Sequence, residues 1–427
     1  MLRVLLAAVI AVGAVGAIDY SYAKDKAKSG KPVPPPTKQT QVIRAETYKK
    51  MEVAQKAFEA KDYSTAVKAL DELKASPKLN DYERATLYSL YAAVYYAQEN
   101  VPKAIESYLL VLKQPNLPDG LRDSSLYATA QLYFISEDYT RAIAVVKKWL
   151  SVVPEPSPEG YALLAQAYYQ KENWAEAEKA LVTSLQISKQ RGQSPKEPAL
   201  ALLRAIYYER KDYEKAARVL ELLVSIRPDK GTYWQQLAGM RGLMDQQREQ
   251  VRLMHAAYRA NLLGSQSDML NLARLYLVSE VPYPAVRLLA QGMKSKVIPV
   301  NAETLQLYAQ ALAMAREYKQ QIPVLKKLAE MTGEARHYSY LGQAYNEIGD
   351  WENAADAFRS ALKAKGLDKA ADAHMQLGTA LFNANKFAEA RGQFVIAAQS
   401  EVLAQQAGNW IKFVDQEIAR RDAVKGM

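Results

Sequence analysis

Residues 335–362 read ARHYSYLGQAYNEIGDWENAADAFRSAL, and this stretch decides the fold. Tyr338, Leu341, Gly342 and Tyr345 recur at the three- and four-residue spacing of one helix face. Gly349 and Asp350 interrupt that pattern, as a chain-reversing pair does. Ala354, Phe358 and Ala361 then mark the inner face of a second helix. Small residues at Gly342, Ala354 and Ala361 let two helix backbones approach, and aromatic side chains fill the space beside them. A helical hairpin of this size cannot bury its apolar face alone and needs copies of itself as neighbours.

The copies are present. The start of the second helix is the most legible mark: a polar residue, an aromatic ring, and alanine three residues after the ring. It recurs as KDYSTA (61–66), EDYTRA (137–142), ENWAEA (172–177), KDYEKA (211–216), GDWENA (349–354) and NKFAEA (385–390). Weaker copies are ENVPKA (99–104), DQQREQ (245–250), EVPYPA (280–285) and REYKQQ (316–321). Counting back gives ten units, beginning near Thr47, Ala85, Asp123, Pro158, Glu197, Gly231, Gln266, Ala302, Ala335 and Ala371, with steps of 33 to 39 residues. The longest step contains SKQRGQSPKEP (188–198), which reads as an exposed loop.

This pattern resembles the tetratricopeptide repeat (TPR) family, over nearly the whole chain beyond residue 46. The resemblance implies an all-α, right-handed superhelical solenoid of about ten TPR helix pairs over residues 47–404. Residues 405–427 supply Trp410, Ile411, Phe413, Val414 and Ile418 on one helical stripe, suited to cap the last repeat or, alternatively, to bind a partner. Most prolines fall at unit ends, whereas Pro323 falls within a second helix and predicts a kink. The unit from Gly231 keeps Trp234 and Leu237, but Gly239, Gly242 and Gln250 stand where better packers belong, which predicts a looser joint.

Residues 1–23 carry Arg3, the apolar run VLLAAVIAVGAVGAI, and Ser21 and Ala23 before a plausible cut. They read as a secretory signal, placing the body in the periplasm. An uncleaved inner-membrane anchor is the alternative, although fifteen residues are short for a span of about 20. Residues 24–46 form a basic, Pro-rich linker, with Lys24, Lys26, Lys28, Lys31, Lys38 and Arg44 against Asp25 alone up to residue 44. Half of the formal charge of +10 lies there, and the rest is too dispersed for a nucleic-acid footprint.

No cysteine occurs, which excludes disulfides, thiolate catalysis, cysteine-ligated metals and a lipoprotein anchor. No Gly-rich phosphate loop, nucleophile elbow or H-E-x-x-H is present. His255, His337 and His374 share no ligand spacing and read as packed or surface residues. The expectation is a non-enzyme with no cofactor and no metal site.

By the same resemblance, repeat positions 2, 5, 9, 12 and 13 face the concave side. Position 12 gives Phe58, Tyr96, Phe134, Tyr169, Tyr208 and Phe382, and position 9 gives Gln55, Gln131, Gln166, Gln310 and Gln343. Rings interleaved with amides suit an extended peptide or a helix; equally, position 12 is aromatic where it only pads the repeat interface. The basic clamp of TPR cochaperones is missing, since Tyr48, Met51, Gln55, Thr86, Ser89 and Ala93 stand there. Arg274 and Arg336 are the basic groove candidates.

Three segments, ALLRAIYYERKDYEKAARVLELLVSIRPDKGTYWQQLAGM, NLARLYLVSEVPYPAVRLLAQGM and WIKFVDQE, resemble the exported TPR proteins that accompany TonB–ExbB–ExbD systems. That implies an adaptor for protein partners in TonB-dependent outer-membrane uptake. A structural adaptor of an envelope export or polysaccharide-assembly machine is the second reading, and a solute- or glycan-binding protein the third.

Overall fold

A computed structural model describes residues 42–425. The expected signal, 1–23, and most of the basic linker lie outside the described residues. Among the described residues there are 21 α-helices and no strand. The first units are α1 (Ala45–Glu59) with α2 (Tyr63–Lys74), α3 (Asp81–Ala97) with α4 (Val101–Leu112), and α5 (Asp119–Ile135) with α6 (Tyr139–Val152). Next come α7 (Pro158–Gln170) with α8 (Trp174–Gln190), α9 (Glu197–Glu209) with α10 (Tyr213–Ile226), and α11 (Gly231–Leu243) with α12 (Gln247–Arg259). Then follow α13 (Gln266–Val278) with α14 (Pro282–Lys294), α15 (Ala302–Met314) with α16 (Tyr318–Thr332), α17 (Ala335–Glu347) with α18 (Trp351–Lys363), and α19 (Ala370–Asn383) with α20 (Phe387–Ala397). A last helix, α21 (Ala404–Lys425), follows. The fold is an all-α solenoid of helix pairs.

Six first helices, α7, α9, α11, α13, α15 and α17, start on the residue counted from the sequence. In the first three units the helix begins two to four residues sooner. At α3 the reason is a capping box: the Asn80 side chain accepts from the Glu83 N–H, and the Glu83 carboxylate accepts from the Asn80 N–H. Pro323 lies inside α16, and the helix continues through it from Tyr318 to Thr332.

One turn joins the two helices of every unit. Each has three residues, and the middle one is left-handed: Lys61, Glu99, Glu137, Glu172, Lys211, Asp245, Glu280, Arg316, Gly349 and Asn385, with φ between 56° and 76°. These are the fifteenth residues of the ten repeats. The next N–H returns to the carbonyl five residues back, as Asp62 to Ala57 (2.9 Å), Asp138 to Tyr133 (2.9 Å) and Asp350 to Tyr345 (3.0 Å), which closes a Schellman turn. The same residue then caps the second helix. Asp62, Asn100, Asp138, Asn173, Asp212 and Asp350 each accept the N–H three residues on. The polar residue ahead of the ring in the repeat signature is thus a shared cap.

By internal packing the chain divides into two units, residues 1–219 and 220–427. In the first, α1–α3 bury Met51, Leu70, Leu73, Leu87 and Tyr91 together. Arg44, expected in the linker, is pinned: its guanidinium and N–H both donate to the buried Glu83 carboxylate, at 2.6 to 3.0 Å. In the second unit, the glycine of the opening stretch shows why it is there. A Cβ on Gly342 would sit 2.7 Å from the Phe358 ring, and Gly378 stands in the same relation to Phe394. α21 covers the last hairpin. Trp410 stacks on Phe394 with centroids 5.2 Å apart, and Val414 is fully buried, while Phe413 stays half exposed.

The unit from Gly231 packs differently. Gly239 faces open space, and the Gln250 side chain lies against Gly242. A cleft of about 430 Å³ opens among α11, α12 and α13.

The left-handed residues make a paired prediction. Gly349→Ala should cost about 1–2 kcal/mol, because a Cβ is strained there, whereas Lys211→Gly should gain up to about 1 kcal/mol. Urea denaturation of both variants measures it. Glu83 makes another. Burial pushes its carboxyl upward, but Arg44 and the Asn80 and Arg44 N–H groups outweigh that and hold it at about 2, against an ordinary 4.5. A depressed carboxyl stabilises the fold above pH 4.5, and the contribution fades as pH falls through about 2. Glu83→Gln should therefore lose on the order of 3 kcal/mol at pH 7. In urea titrations, the gap between wild type and variant should close as the solution is acidified towards pH 2.

Candidate partner-binding face

The first-helix positions singled out in the sequence fall into two groups. The position-12 rings turn toward their own hairpin. Phe58 packs on Tyr63 (6.1 Å between centroids), Phe134 on Tyr139 (5.2 Å), Tyr169 on Trp174 (5.0 Å), Tyr208 on Tyr213 (6.1 Å) and Phe382 on Phe387 (5.2 Å). Each ring therefore clasps the aromatic that opens the second helix, five residues on. Tyr96 has Val101 at that place and forms no such ring pair. Burial differs sharply within the set: Phe134 is 8% exposed and Tyr208 45%. Phe382 also touches Trp410 and Phe413 of α21.

The position-9 amides vary as well. Gln131 is buried, Gln55 and Gln166 are half-buried, and Gln310 and Gln343 are exposed. Gln55 donates to Glu59 at 3.2 Å within its helix, and Gln343 to Gln376 of the next repeat at 3.3 Å. The two basic candidates are paired: Arg274 with Glu303 at 2.9 Å, and Arg336 with Glu334 at 2.5 Å. Both pairs are solvent-exposed and weak as anchors.

Position 13 carries what sequence reasoning passed over. Leu243, Val278 and Met314 end three successive first helices and are 51%, 66% and 42% exposed. In most other repeats the position is polar: Glu59, Gln170, Glu209, Glu347 and Asn383. Tyr340 on α17 is also half exposed. The signal was available, as three large apolar residues at steps of 35 and 36 in the place of polar ones.

The histidines do not converge. The Thr332 hydroxyl donates to the Leu328 carbonyl at 2.9 Å, so it accepts from His337 Nδ1 at 2.7 Å. This leaves His337 Nε2 buried without a partner. Burial, with Arg336 alongside, pushes the His337 pKa down, so the ring is neutral. His374 pairs with Gln393, and His255 with Tyr276, whose hydroxyl burial pushes up to about 12. Among the described residues no group of three metal-ligating side chains forms. No described helix is long and apolar enough to cross a membrane.

Residues 341–402 match the tetratricopeptide repeat family profile. The matched segment contains two of the ten left-handed turns, at Gly349 and Asn385, and the other eight share their geometry. No curated protein matches the chain. Among solved structures, a tetratricopeptide repeat protein from Parabacteroides merdae ATCC 43184 is 15% identical with a TM-score of 0.38, over 62% of this chain and 98% of that one. The apo form of RapI is 13% identical with a TM-score of 0.36, over 74% and 97%. MamA from Desulfovibrio magneticus RS-1 is 18% identical with a TM-score of 0.33, over 40% and 94%.

The two roles of position 12 separate on stability. Phe134→Ala should cost about 3–5 kcal/mol, as truncation of a buried ring does. Tyr208→Ala should cost about 1 kcal/mol, the worth of one ring contact. Thermal melts of the two variants check this.

Proposed function

We propose that the chain is a scaffold that holds protein partners against its first-helix face. The observation that carries this reading is the row Leu243, Val278 and Met314, exposed in register on three successive helices. Large apolar side chains repeated at one position of a repeat array favour interaction surfaces. The exposed amides Gln306 and Gln310 lie beside Met314 on α15 and offer hydrogen bonds without charge. The absence of a cysteine nucleophile and the dispersal of the histidines favour binding over chemistry.

The finer reading is that residues 1–23 direct export to the periplasm and that the partners belong to a TonB-dependent outer-membrane uptake system. The apolar run of the signal and the three segments that resemble TonB-associated TPR proteins support it.

A photo-crosslinker at Gln310 in intact cells tests both levels. It should capture a defined protein partner. The triple variant Leu243→Ser, Val278→Ser, Met314→Ser should lose that capture while its melting temperature stays close to wild type, since each exposed change costs about 0.5 kcal/mol or less. Undiminished capture by the triple variant would falsify the scaffold face. Recovery of export or polysaccharide-assembly proteins in place of TonB-system proteins overturns the finer reading alone.

A further inference from the structure

We infer that the cleft among α11, α12 and α13 receives one apolar side chain from an uncharged, extended stretch of peptide. The inference rests on the scaffold reading and names what one place on it takes. The cleft lies where the side chains of this hairpin leave space unfilled. Gly242 and Gln247 stand where five hairpins carry their ring pair. Met254 stands where the last two hairpins have Phe358 and Phe394. Gly239 has nothing within 4 Å of the place its Cβ would take. The resulting volume, about 430 Å³, lies in the range of ligand pockets.

The lining states the chemistry. Ala238, Met254 and Leu275 give an apolar floor. The side-chain amides of Gln250 and Asn271 border it and make no hydrogen bond among the described residues. A primary amide both donates and accepts, which is what a peptide backbone requires. Asp268 is the acidic residue in the lining, and its two oxygens accept from the Gln235 amide at 2.5 Å and the Ser265 N–H at 3.2 Å. A ligand carboxylate would lose its water and face a like charge, and a ligand ammonium would give up its water for an acid already holding two donors. No aromatic ring lines the cleft, so a sugar has nothing to stack on. One helical turn beyond Gly239 and Leu275 stand the exposed Leu243 and Val278. They offer apolar ground to the side chain two residues along an extended peptide, roughly 7 Å away.

The test uses the full chain and end-capped octapeptides, uncharged apart from a central residue that is Leu, Phe, Ser, Lys or Glu, followed by isothermal titration. The Leu and Phe peptides should bind, and the other three at least tenfold more weakly. Gly239→Leu and Met254→Phe fill the cleft from two of its walls, so one remains informative if the other fails to fold. Both should melt at or above the wild-type temperature and bind the Leu peptide at least tenfold more weakly. Equal binding by the folded filled variants, or binding of none of the peptides, overturns the cleft. Binding that survives the fillings but is lost in the triple serine variant overturns the cleft and leaves the scaffold face standing. Binding lost in neither overturns both. A neutral oligosaccharide that binds wild type and is excluded by the fillings overturns the ligand class.

Discussion

The structure depends on a residue that is uncomfortable in isolation. A left-handed backbone costs a side-chain-bearing residue about 1–2 kcal/mol, and nine of the ten hairpin turns impose it on Lys, Glu, Asp, Arg or Asn. What holds it there is a double obligation on the residue that follows. Its N–H closes the end of the first helix, and in six turns its side chain opens the second. Two helix ends that would otherwise leave unsatisfied groups are completed within three residues. The same geometry recurs in all ten turns and fixes which faces of the two helices meet within each hairpin.

Packing between those faces is set by exclusions as much as by attractions. Gly342 and Gly378 admit the edges of Phe358 and Phe394 because a methyl group there would collide with them. The two phenylalanines are fully buried in consequence. An array of this kind has two open ends, each of which needs a cover. Trp410 and Val414 of α21 provide one by closing over Phe394. Between the first two hairpins Arg44 reaches Glu83, which also completes the capping box of α3. Burial of that carboxylate is tolerable because three donors surround it.

The sequence made the hairpins legible because their turn chemistry is local: an aspartate or asparagine, a ring, and an alanine three residues later state a cap and a close approach together. The Asn80–Glu83 spacing that lengthens α3 was also readable as a capping box. The Arg44–Glu83 pair was not, since it joins residues 39 apart and only folding brings them together. Face assignment from position was sound as geometry but silent on cover. Phe134 and Tyr208 hold the same repeat position and are both aromatic, yet one is buried and the other half exposed. Periodicity names a face, and the neighbouring side chains decide how much of it meets water.

The same limit explains why the hairpin from Gly231 stands apart. Where a unit carries both rings, it spends its apolar surface on itself, as Phe134 does on Tyr139 and Tyr169 on Trp174. At α11–α13 the pair is absent, and an apolar floor bordered by amides without side-chain partners stands open. This hairpin also keeps Gly239 within a helix, at about 1 kcal/mol relative to alanine. The Gln236 side-chain Oε1 is buried with no partner among the described residues, a further deficit of about 1–3 kcal/mol. Gly239 lies one helical turn before the exposed Leu243 on α11, and Leu275 one turn before the exposed Val278 on α13. Local stability and an open surface are alternatives for the same side chains, and α11–α13 is where this chain takes the second.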